Sequence, residues 1–295
     1  MSMFSNKQNG LFNYMDLRVT KNKIIYFMMY GFLILMALIC ILPVLWVSLS
    51  GFKTVEEMYS VPPTLIPSSF DFSIIPRVWK RVKFGSAFLY SAIIMVGCVV
   101  MDITFNGLAG FVLSKVKPKG SAFLDTVIFW IMMMPSMGLV TGYMNMLNFT
   151  PLHLNLTGTY WPMWLGAAIN VFHIFLFRNM FNSIPNAYYE AAKIDGCSDI
   201  RAFFKVFLPL GKPTFMVVII STLMGAWGNY MGPLLYLNGT EMIPVALKLY
   251  KMSELGLMKN EEFMVLTIAI LVPVILFAIF SRQIMGGADS SGEKG

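Results

Sequence analysis

Six long apolar segments, separated by shorter polar ones, dominate the pattern of this chain. They cover approximately residues 24–49, 86–113, 122–147, 159–181, 213–237 and 262–282. Because about 20 apolar residues in a helix cross the hydrocarbon of a bilayer, each segment predicts one transmembrane helix. The first is also too long for the core of a signal peptide. The pattern therefore predicts an all-α integral membrane protein with six transmembrane helices.

The composition agrees with this pattern. Of the 295 residues, 57% are hydrophobic and 13% are charged, against about 25% charged in soluble domains. We predict an N-terminal cytoplasmic segment (1–23), one six-helix membrane domain (24–284) and a flexible cytoplasmic tail (285–295). A net charge of +7 in such a protein reflects basic cytoplasmic loops more often than nucleic-acid binding. The lipid bilayer is therefore an expected partner, and nucleic acid is not.

The distribution of Lys and Arg predicts the orientation. If the N-terminus is inside, 14 of the 22 basic residues fall in inside segments and 8 in outside segments. Since cytoplasmic loops carry the excess of Lys and Arg, we expect both termini in the cytoplasm of a bacterial cell. The polar segment 184–210 then also lies in the cytoplasm.

This polar segment predicts a helix, a turn and a second helix. Ser183 is a candidate N-cap, with Pro185 in the first turn. Gly196 can adopt the left-handed conformation that ends a helix. Ser198 can cap the second helix, and Pro209 is expected to end it. Apolar residues at i, i+3, i+4 and i+7 form one stripe of the second helix: Ile200, Phe203, Phe204 and Phe207.

The same segment carries a longer pattern. Glu190-Ala191-Ala192 is followed by Gly196 and then by Val206-Phe207-Leu208-Pro209. This resembles the EAA loop of permease subunits in ABC importers, with Val206 where Ile is commoner. The resemblance extends over most of the chain and is strongest to the carbohydrate uptake permeases of the maltose type. From the residues alone, an ordinary cytoplasmic loop with an interfacial helix is the alternative.

The resemblance implies a type I ABC importer permease fold with a cytoplasmic coupling helix. It implies an assembly with a second homologous permease subunit, two ATPase subunits and an extracytoplasmic sugar-binding protein, working by alternating access. The residues expected to couple to the ATPase match the motif: Glu190, Ala191, Ala192, Asp195, Gly196, Leu208 and Pro209.

Sequence signatures of an enzyme are missing. Gly211-Lys212 lacks the preceding glycine of a Walker-type phosphate loop and is followed by Pro213. No HExxH or GxSxG pattern occurs, and the chain has only two histidines. We therefore expect neither catalytic nor metal-binding residues and no cofactor, with ATP and Mg²⁺ bound by the partner ATPase subunits.

The fifth apolar segment contains a candidate translocation path. The sequence from Trp227 to Pro233 mixes small, amide and aromatic residues, and it resembles the Trp-Asn region of sugar importer permeases, although Gly228 separates Trp227 from Asn229. We expect Trp227, Asn229 and Tyr230 to line the path, with helix packing as the alternative. His173 is a further candidate, with a hydrogen-bonded histidine inside the bundle as the alternative.

Three other features leave alternatives open. Asp102 lies deep in the second segment, where a carboxylate has either a structural role or a lining or proton-transfer role. Asn238, Gly239 and Thr240 form a turn that contacts the binding protein or is a plain connection. Residues 75–83 predict a short basic helix, with Ile75, Val78, Trp79 and Val82 on one face, which lies among lipid headgroups or contacts the binding protein.

These features predict a permease subunit of an ATP-driven importer for a sugar or oligosaccharide. A permease for a non-sugar solute is the first alternative. A secondary transporter or channel working alone would need coupling-ion ligands or a charged filter, which Asp102 alone does not supply. A membrane scaffold without transport has no use for an EAA loop.

Overall fold

A computed structural model describes residues 20–133, 155–237 and 239–289. Within these ranges the regular elements are helices, and α4 carries two π-helical turns, Asp102–Asn106 and Val112–Val116. In chain order the helices are α1 (Thr20–Ser50), α2 (Val55–Met58), α3 (Ile74–Val82), α4 (Phe84–Val116), α5 (Ser121–Met133), α6 (Trp161–Ala168), α7 (Val171–Ser183), α8 (Ala187–Ile194), α9 (Asp199–Leu210), α10 (Lys212–Gly228), α11 (Met231–Tyr236), α12 (Val245–Tyr250) and α13 (Lys259–Asp289).

In its described part, each of the six predicted spans coincides mainly with helical structure. Among the described residues, α1, α4 and α13 are long and apolar enough to cross a membrane, and α9 with α10 would make a fourth span if the two were one helix. They meet at an angle of 89°. The third predicted span begins as α5, and its second half lies outside the described residues, as do residues 1–19, Asn238 and the end of the tail.

The fourth and fifth predicted spans are interrupted, where the hydropathy pattern predicts continuous helices. The fourth breaks between α6 and α7, and the side chain of Asn170 caps α7 by accepting a hydrogen bond from the His173 backbone N–H at 3.2 Å. The fifth breaks at Asn229, whose backbone is extended and whose Oδ1 accepts from the Gly232 N–H at 3.0 Å. Asparagine side chains that replace backbone partners favour such ends.

The described chain folds as two compact units. The first comprises residues 1–74 and 258–267. Here Thr54 and Glu57 form a reciprocal capping box around α2, and Glu57 also accepts from the Ser68 N–H at 2.9 Å. Asn260 donates to the Lys53 carbonyl at 3.0 Å, and the rings of Trp46 and Phe263 meet edge to face. These contacts order the segment after α1.

The second unit comprises residues 75–257 and 268–295. Its core, here termed the phenylalanine cluster, consists of fully or almost fully buried rings: Phe111, Phe177, Phe181, Phe203, Phe207 and Phe215. Helices α4 and α7 approach closely at Gly110, where an added Cβ would lie 2.7 Å from the Cβ of Phe177. At this position only glycine allows the two backbones to pack at this distance.

The structure corrects two expected helix boundaries. Ser183 is the last residue of α7 and donates back to the Met180 carbonyl, so it does not cap α8, which begins after Asn186. Pro209 does not end α9, because proline is tolerated in the first turn of the short helical segment Leu208–Leu210. The chain turns instead at Gly211.

Helix α3 also differs from its predicted orientation. Val78 and Val82 are fully or almost fully buried, while Ile75 and Trp79 are exposed. The predicted apolar face is therefore divided. The valines pack inside the protein instead of facing lipid.

Candidate functional site

The helix–turn–helix of residues 187–210 forms as the sequence predicts. Helix α8 is followed by Gly196 with φ +75°, in the left-handed region. The Ser198 hydroxyl then accepts a hydrogen bond from the Arg201 N–H at 3.4 Å and caps α9. The two helices are thus joined by a turn whose backbone conformation favours glycine.

One side of this motif is fixed to the phenylalanine cluster. Ala192 is buried against it, and Tyr189 packs at its edge, 6.0 Å from the Phe111 ring. Phe203 and Phe207 extend from α9 into the cluster, with the centroids of Phe111 and Phe207 5.0 Å apart. Burying such rings is worth about 1.5–3 kcal/mol each, so α8 and α9 are held firmly.

Polar contacts add to this attachment. The ammonium of Lys115, at the end of α4, donates to the Ile184 carbonyl at 2.5 Å and to Asn186 Oδ1 at 2.8 Å, which fixes the entry to α8. At its exit Asp199 accepts from the Tyr189 hydroxyl at 2.6 Å and pairs with Lys193 at 2.8 Å. The hydrogen bond to Asp199 raises the pKa of Lys193 above its usual range.

The other side of the motif is open. Glu190, Ala191, Asp195 and Gly196 are exposed, and Ile194 is 86% exposed. Of the other predicted coupling residues, Leu208 packs partly against the phenylalanine cluster and Pro209 is exposed. Most of the residues expected to contact an ATPase subunit therefore lie on one accessible surface. Ala192 and Leu208 lie on the opposite side and attach the motif to the phenylalanine cluster.

The fifth segment borders a cavity of about 250 Å³, here termed the aromatic cavity. Its lining residues come from the two sides of the break after α10 and from α12: Trp227, Gly228, Tyr230, Ala246, Leu249 and Tyr250. Two of the four residues predicted for the path, Trp227 and Tyr230, line this cavity. Asn229 lies between them, and its side chain caps α11.

His173 lies in a different place, inside a buried polar network. Its Nδ1 is 2.7 Å from Oδ2 of Asp102, and the two residues are 4% and 1% exposed. Asp102 also accepts from Asn106 Nδ2 at 2.7 Å and from the Thr222 hydroxyl. Asp102 is therefore not isolated, and the network joins α4, α7 and α10.

Asn106 extends the same network to the break between α6 and α7. Its Nδ2 donates to the Ala167 carbonyl at 2.8 Å, and its Oδ1 accepts from the Asn170 N–H at 3.1 Å. These backbone groups have lost their helical partners. The buried amide of Asn106 replaces the missing partners of both groups, as an interrupted membrane helix requires.

The turn after α11 is described only in part, since Asn238 lies outside the described residues. Gly239 has φ +81°. Thr240 Oγ1 donates to the Leu237 carbonyl at 2.7 Å and accepts from the Met242 N–H at 3.2 Å. The loop is thus ordered by its own hydrogen bonds.

Two structurally prominent residues escaped the sequence analysis. Tyr250 stacks on Tyr230 at 4.6 Å, and both line the aromatic cavity, but its sequence context from residue 239 to 257 shows no motif. Lys115 is buried, yet its sequence context of Lys115, Lys117 and Lys119 is that of a solvated basic turn. The one available signal was its position in the last helical turn of the second span.

Comparisons with known proteins agree with this architecture. Residues 106–287 match the family model described as binding-protein-dependent transport system inner membrane component. The polygalacturonan/rhamnogalacturonan transport system permease protein YtcP of Bacillus subtilis is 31% identical over 76% of this chain and 77% of its own length. The diacetylchitobiose uptake system permease protein NgcG of Streptomyces coelicolor is 28% identical, over 88% and 86%.

A solved structure shows the same fold. A chain from a bacterial ABC transporter involved in the import of the acidic polysaccharide alginate superposes with a TM-score of 0.79, covering 90% of this chain and 98% of that one at 20% identity. The family match covers more than half of the 295 residues and includes the 187–210 motif. The chain belongs to the family of inner membrane components of binding-protein-dependent transport systems.

Proposed function

We propose that this chain is the permease subunit of an ATP-driven importer that moves an oligosaccharide across the cytoplasmic membrane by alternating access. Helix α8 and the Gly196 turn are its coupling element, and Glu190 makes the main electrostatic contact with an ATPase subunit.

The observation that carries this proposal is the two-sided construction of the 187–210 motif. One side is fixed by Ala192 and the phenylalanine cluster, while the other presents Glu190, Ala191 and the 86% exposed Ile194. An exposed aliphatic residue on a rigidly held helix favours docking, because covering it removes apolar surface from water at little conformational cost. A plain connector has no need of such a surface.

The partners follow from this role. The subunit pairs with a second homologous permease subunit, two ATPase subunits and an extracytoplasmic sugar-binding protein. ATP and Mg²⁺ bind to the ATPase subunits, and this chain carries no cofactor of its own. Both termini lie in the cytoplasm, as the 14-to-8 distribution of basic residues predicts.

An oligosaccharide as the cargo is supported by two independent features. The named relatives transport polygalacturonan or rhamnogalacturonan, and diacetylchitobiose. The aromatic cavity presents Trp227, Tyr230 and Tyr250, and ring faces with polar edges suit sugars, which have apolar C–H faces and hydroxyl groups.

Copurification with the ATPase subunits tests the coupling role. In the complete transport complex, Ile194→Asp places a charge in the middle of the proposed contact and should remove most of the bound ATPase. Leu65→Asp is the matched control, because Leu65 is 72% exposed on the side predicted to face outward. If both variants retained the ATPase equally, the 187–210 motif would be only a connector.

A further inference from the structure

A cluster of positive charge lies on the side of the chain predicted to face outward. Four basic residues fall within seven positions at the start of the second unit, Arg77, Lys80, Arg81 and Lys83, and all four are exposed. Outer segments of bacterial membrane proteins are normally poor in Lys and Arg. This enrichment is unusual for an outer segment, and it favours contact with an anion.

Lipid headgroups are the first counterpart to consider. An interfacial helix inserts its apolar face between lipid chains, but Val78 is 0% and Val82 1% exposed. Trp79 stacks on Phe88 with ring centroids 5.5 Å apart and an interplanar angle of 16°. Val78 and Val82 are thus used inside the protein, while Ile75, Trp79 and the lysines Lys80 and Lys83 lie on the exposed surface of this segment.

Helix α12 connects this cluster to the aromatic cavity. The Lys248 ammonium donates to the Val82 carbonyl and, at 3.4 Å, to the Lys83 carbonyl. Ala246 and Tyr250 of the same helix line the cavity. Burial, and after it the positive charge of Lys83, lowers the pKa of Lys248. The cavity wall and the basic cluster are therefore neighbours.

Stacked aromatic rings also connect the basic cluster to the aromatic cavity. Trp79 stacks on Phe88, and Phe88 stacks on Trp227 at 5.7 Å and 29°. On the far side of the cavity Tyr230 and Tyr250 stack at 4.6 Å and 12°. The row of rings runs from the basic helix α3 to the cavity.

The charge of this region is strongly one-sided. Segments 75–83 and 239–257 contain six basic residues and two carboxylates, Glu241 and Glu254. A neutral sugar needs apolar ring contact and neutral hydrogen bonds, but no counter-charge. Lysine ammonium groups on or next to the helices that carry the stacked rings match a sugar that carries carboxylate groups.

We propose that the aromatic cavity and the basic cluster together form an entry site for an acidic oligosaccharide, one whose rings carry carboxylates. This rests on the proposed function and specifies its substrate class. The volume of the aromatic cavity, about 250 Å³, is smaller than that of pockets for drug-sized ligands, which measure about 300–1,000 Å³. It suits a single sugar ring. Adjoining rings lie along the stacked aromatics, with their carboxylates at Lys80, Lys83 and Lys251.

Uptake by the complete transporter in proteoliposomes, with its binding protein, tests this proposal. The probes are trigalacturonate and the neutral maltotriose, which has the same number of rings. We expect uptake of trigalacturonate only. The double variant Lys80→Gln/Lys83→Gln should raise its KM about fivefold with kcat little changed, and most of that difference should vanish at 1 M salt, where charges are screened beyond about 3 Å. Lys117→Gln/Lys119→Gln, on the opposite side, is the matched control.

The other outcomes separate the two proposals. Uptake of maltotriose but not of trigalacturonate would overturn the acidic substrate and leave the sugar importer standing. Uptake of neither saccharide would likewise overturn the acidic substrate. If Lys80→Gln/Lys83→Gln instead lowered the amount of assembled complex in the membrane and left the KM unchanged, the cluster would be a lipid anchor. A KM increase equal to that of the control pair would exclude a specific role for the cluster.

Discussion

Two regions of the second unit are lined by aromatic side chains, but one is filled and the other contains a cavity. The phenylalanine cluster beneath α8 and α9 is filled, with six rings almost completely buried. The aromatic cavity is lined by Trp227, Tyr230 and Tyr250 and encloses about 250 Å³. Phenylalanine has no polar atom and can be surrounded on all sides, whereas Trp and Tyr carry a group that needs a partner.

This difference suits the two regions to the two roles proposed for this chain, coupling to an ATPase subunit and contact with the cargo. A filled core resists deformation, because close-packed side chains have no space into which to move. It can transmit a displacement of α8 to α4, α7 and α10, from which its rings come. A hollow region bordered by polar-edged rings can instead accept a ligand. Its walls meet where the fifth span is interrupted, at Asn229.

The largest expected effect comes from creating a cavity in the phenylalanine cluster. Phe207→Ala should lower the stability of the permease by about 3–5 kcal/mol, because a large ring leaves a cavity. Trp227→Ala, its counterpart at the hollow region, should reduce uptake while leaving stability largely intact. Thermal denaturation of the purified complex, measured beside uptake, compares them. An equal loss of stability in both variants would remove the distinction between the regions.

The next effect concerns the network that joins α4, α7 and α10 between these regions. Asp102→Ala leaves the buried donors of Asn106 and Thr222 without an acceptor, which should cost about 1–3 kcal/mol. Asp102→Asn retains an acceptor oxygen and should cost less. Thermal denaturation and uptake of both variants provide the check. A stable Asp102→Asn variant without uptake would point to proton transfer instead of a structural role.

A smaller effect is expected at Asn229. Asn229→Ala should weaken uptake or alter sugar preference without removing the complex from the membrane, since one neutral hydrogen bond is worth about 0.5–1.5 kcal/mol. Asn229→Ser is the control, because serine also caps a helix and should preserve the start of α11. Unchanged transport of several sugars by the alanine variant would exclude Asn229 from the path.

The smallest effect concerns the exposed pair of Lys193 and Asp199. The pKa of Lys193 is raised in the folded protein. The contribution of the ion pair to the stability of the fold is therefore fully present below the ordinary lysine pKa, and it is lost as the pH rises through the raised value. Between pH 6 and 9 the pair should therefore have no pH dependence. Hydrogen exchange of the α8 amides follows this contact, with Lys193→Gln as the comparison. Lower protection factors of these amides at pH 8 than at pH 6, after correction for the base catalysis of amide exchange, would contradict the sign of the shift.

Sequence reasoning succeeded where a local rule decides the structure. The helical structure of the apolar segments within the described residues, the left-handed Gly196 and the cap at Ser198 each depend on hydropathy or on a neighbouring residue. It failed where a distant partner decides. The break at Asn170 has Asn106 as its partner, 64 positions away, and the partners of Asp102 lie 71 and 120 positions away, in His173 and Thr222. No periodicity within one helix reports such contacts.

The candidate sites divide in the same way. The helix–turn–helix of residues 187–210 was predicted because its residues lie within one short segment, and its coupling role stays a prediction. Of the predicted path, Trp227 and Tyr230 line a cavity, but Tyr250 comes from another element, and His173 is absorbed into the network of Asp102. Burial of Val78 and Val82 was likewise invisible, because an amphipathic helix against lipid and one against protein show the same pattern.

The most direct test of the coupling role uses Gly196 itself. An added Cβ would meet nothing within 4 Å, so substitutions there change the backbone preference and create no clash. Asparagine tolerates the left-handed conformation, while a β-branched residue resists it. ATP hydrolysis of the complete complex, with binding protein and substrate, should keep most of its stimulation in Gly196→Asn and lose it in Gly196→Val. Normal stimulation and normal ATPase occupancy in Gly196→Val would contradict the account.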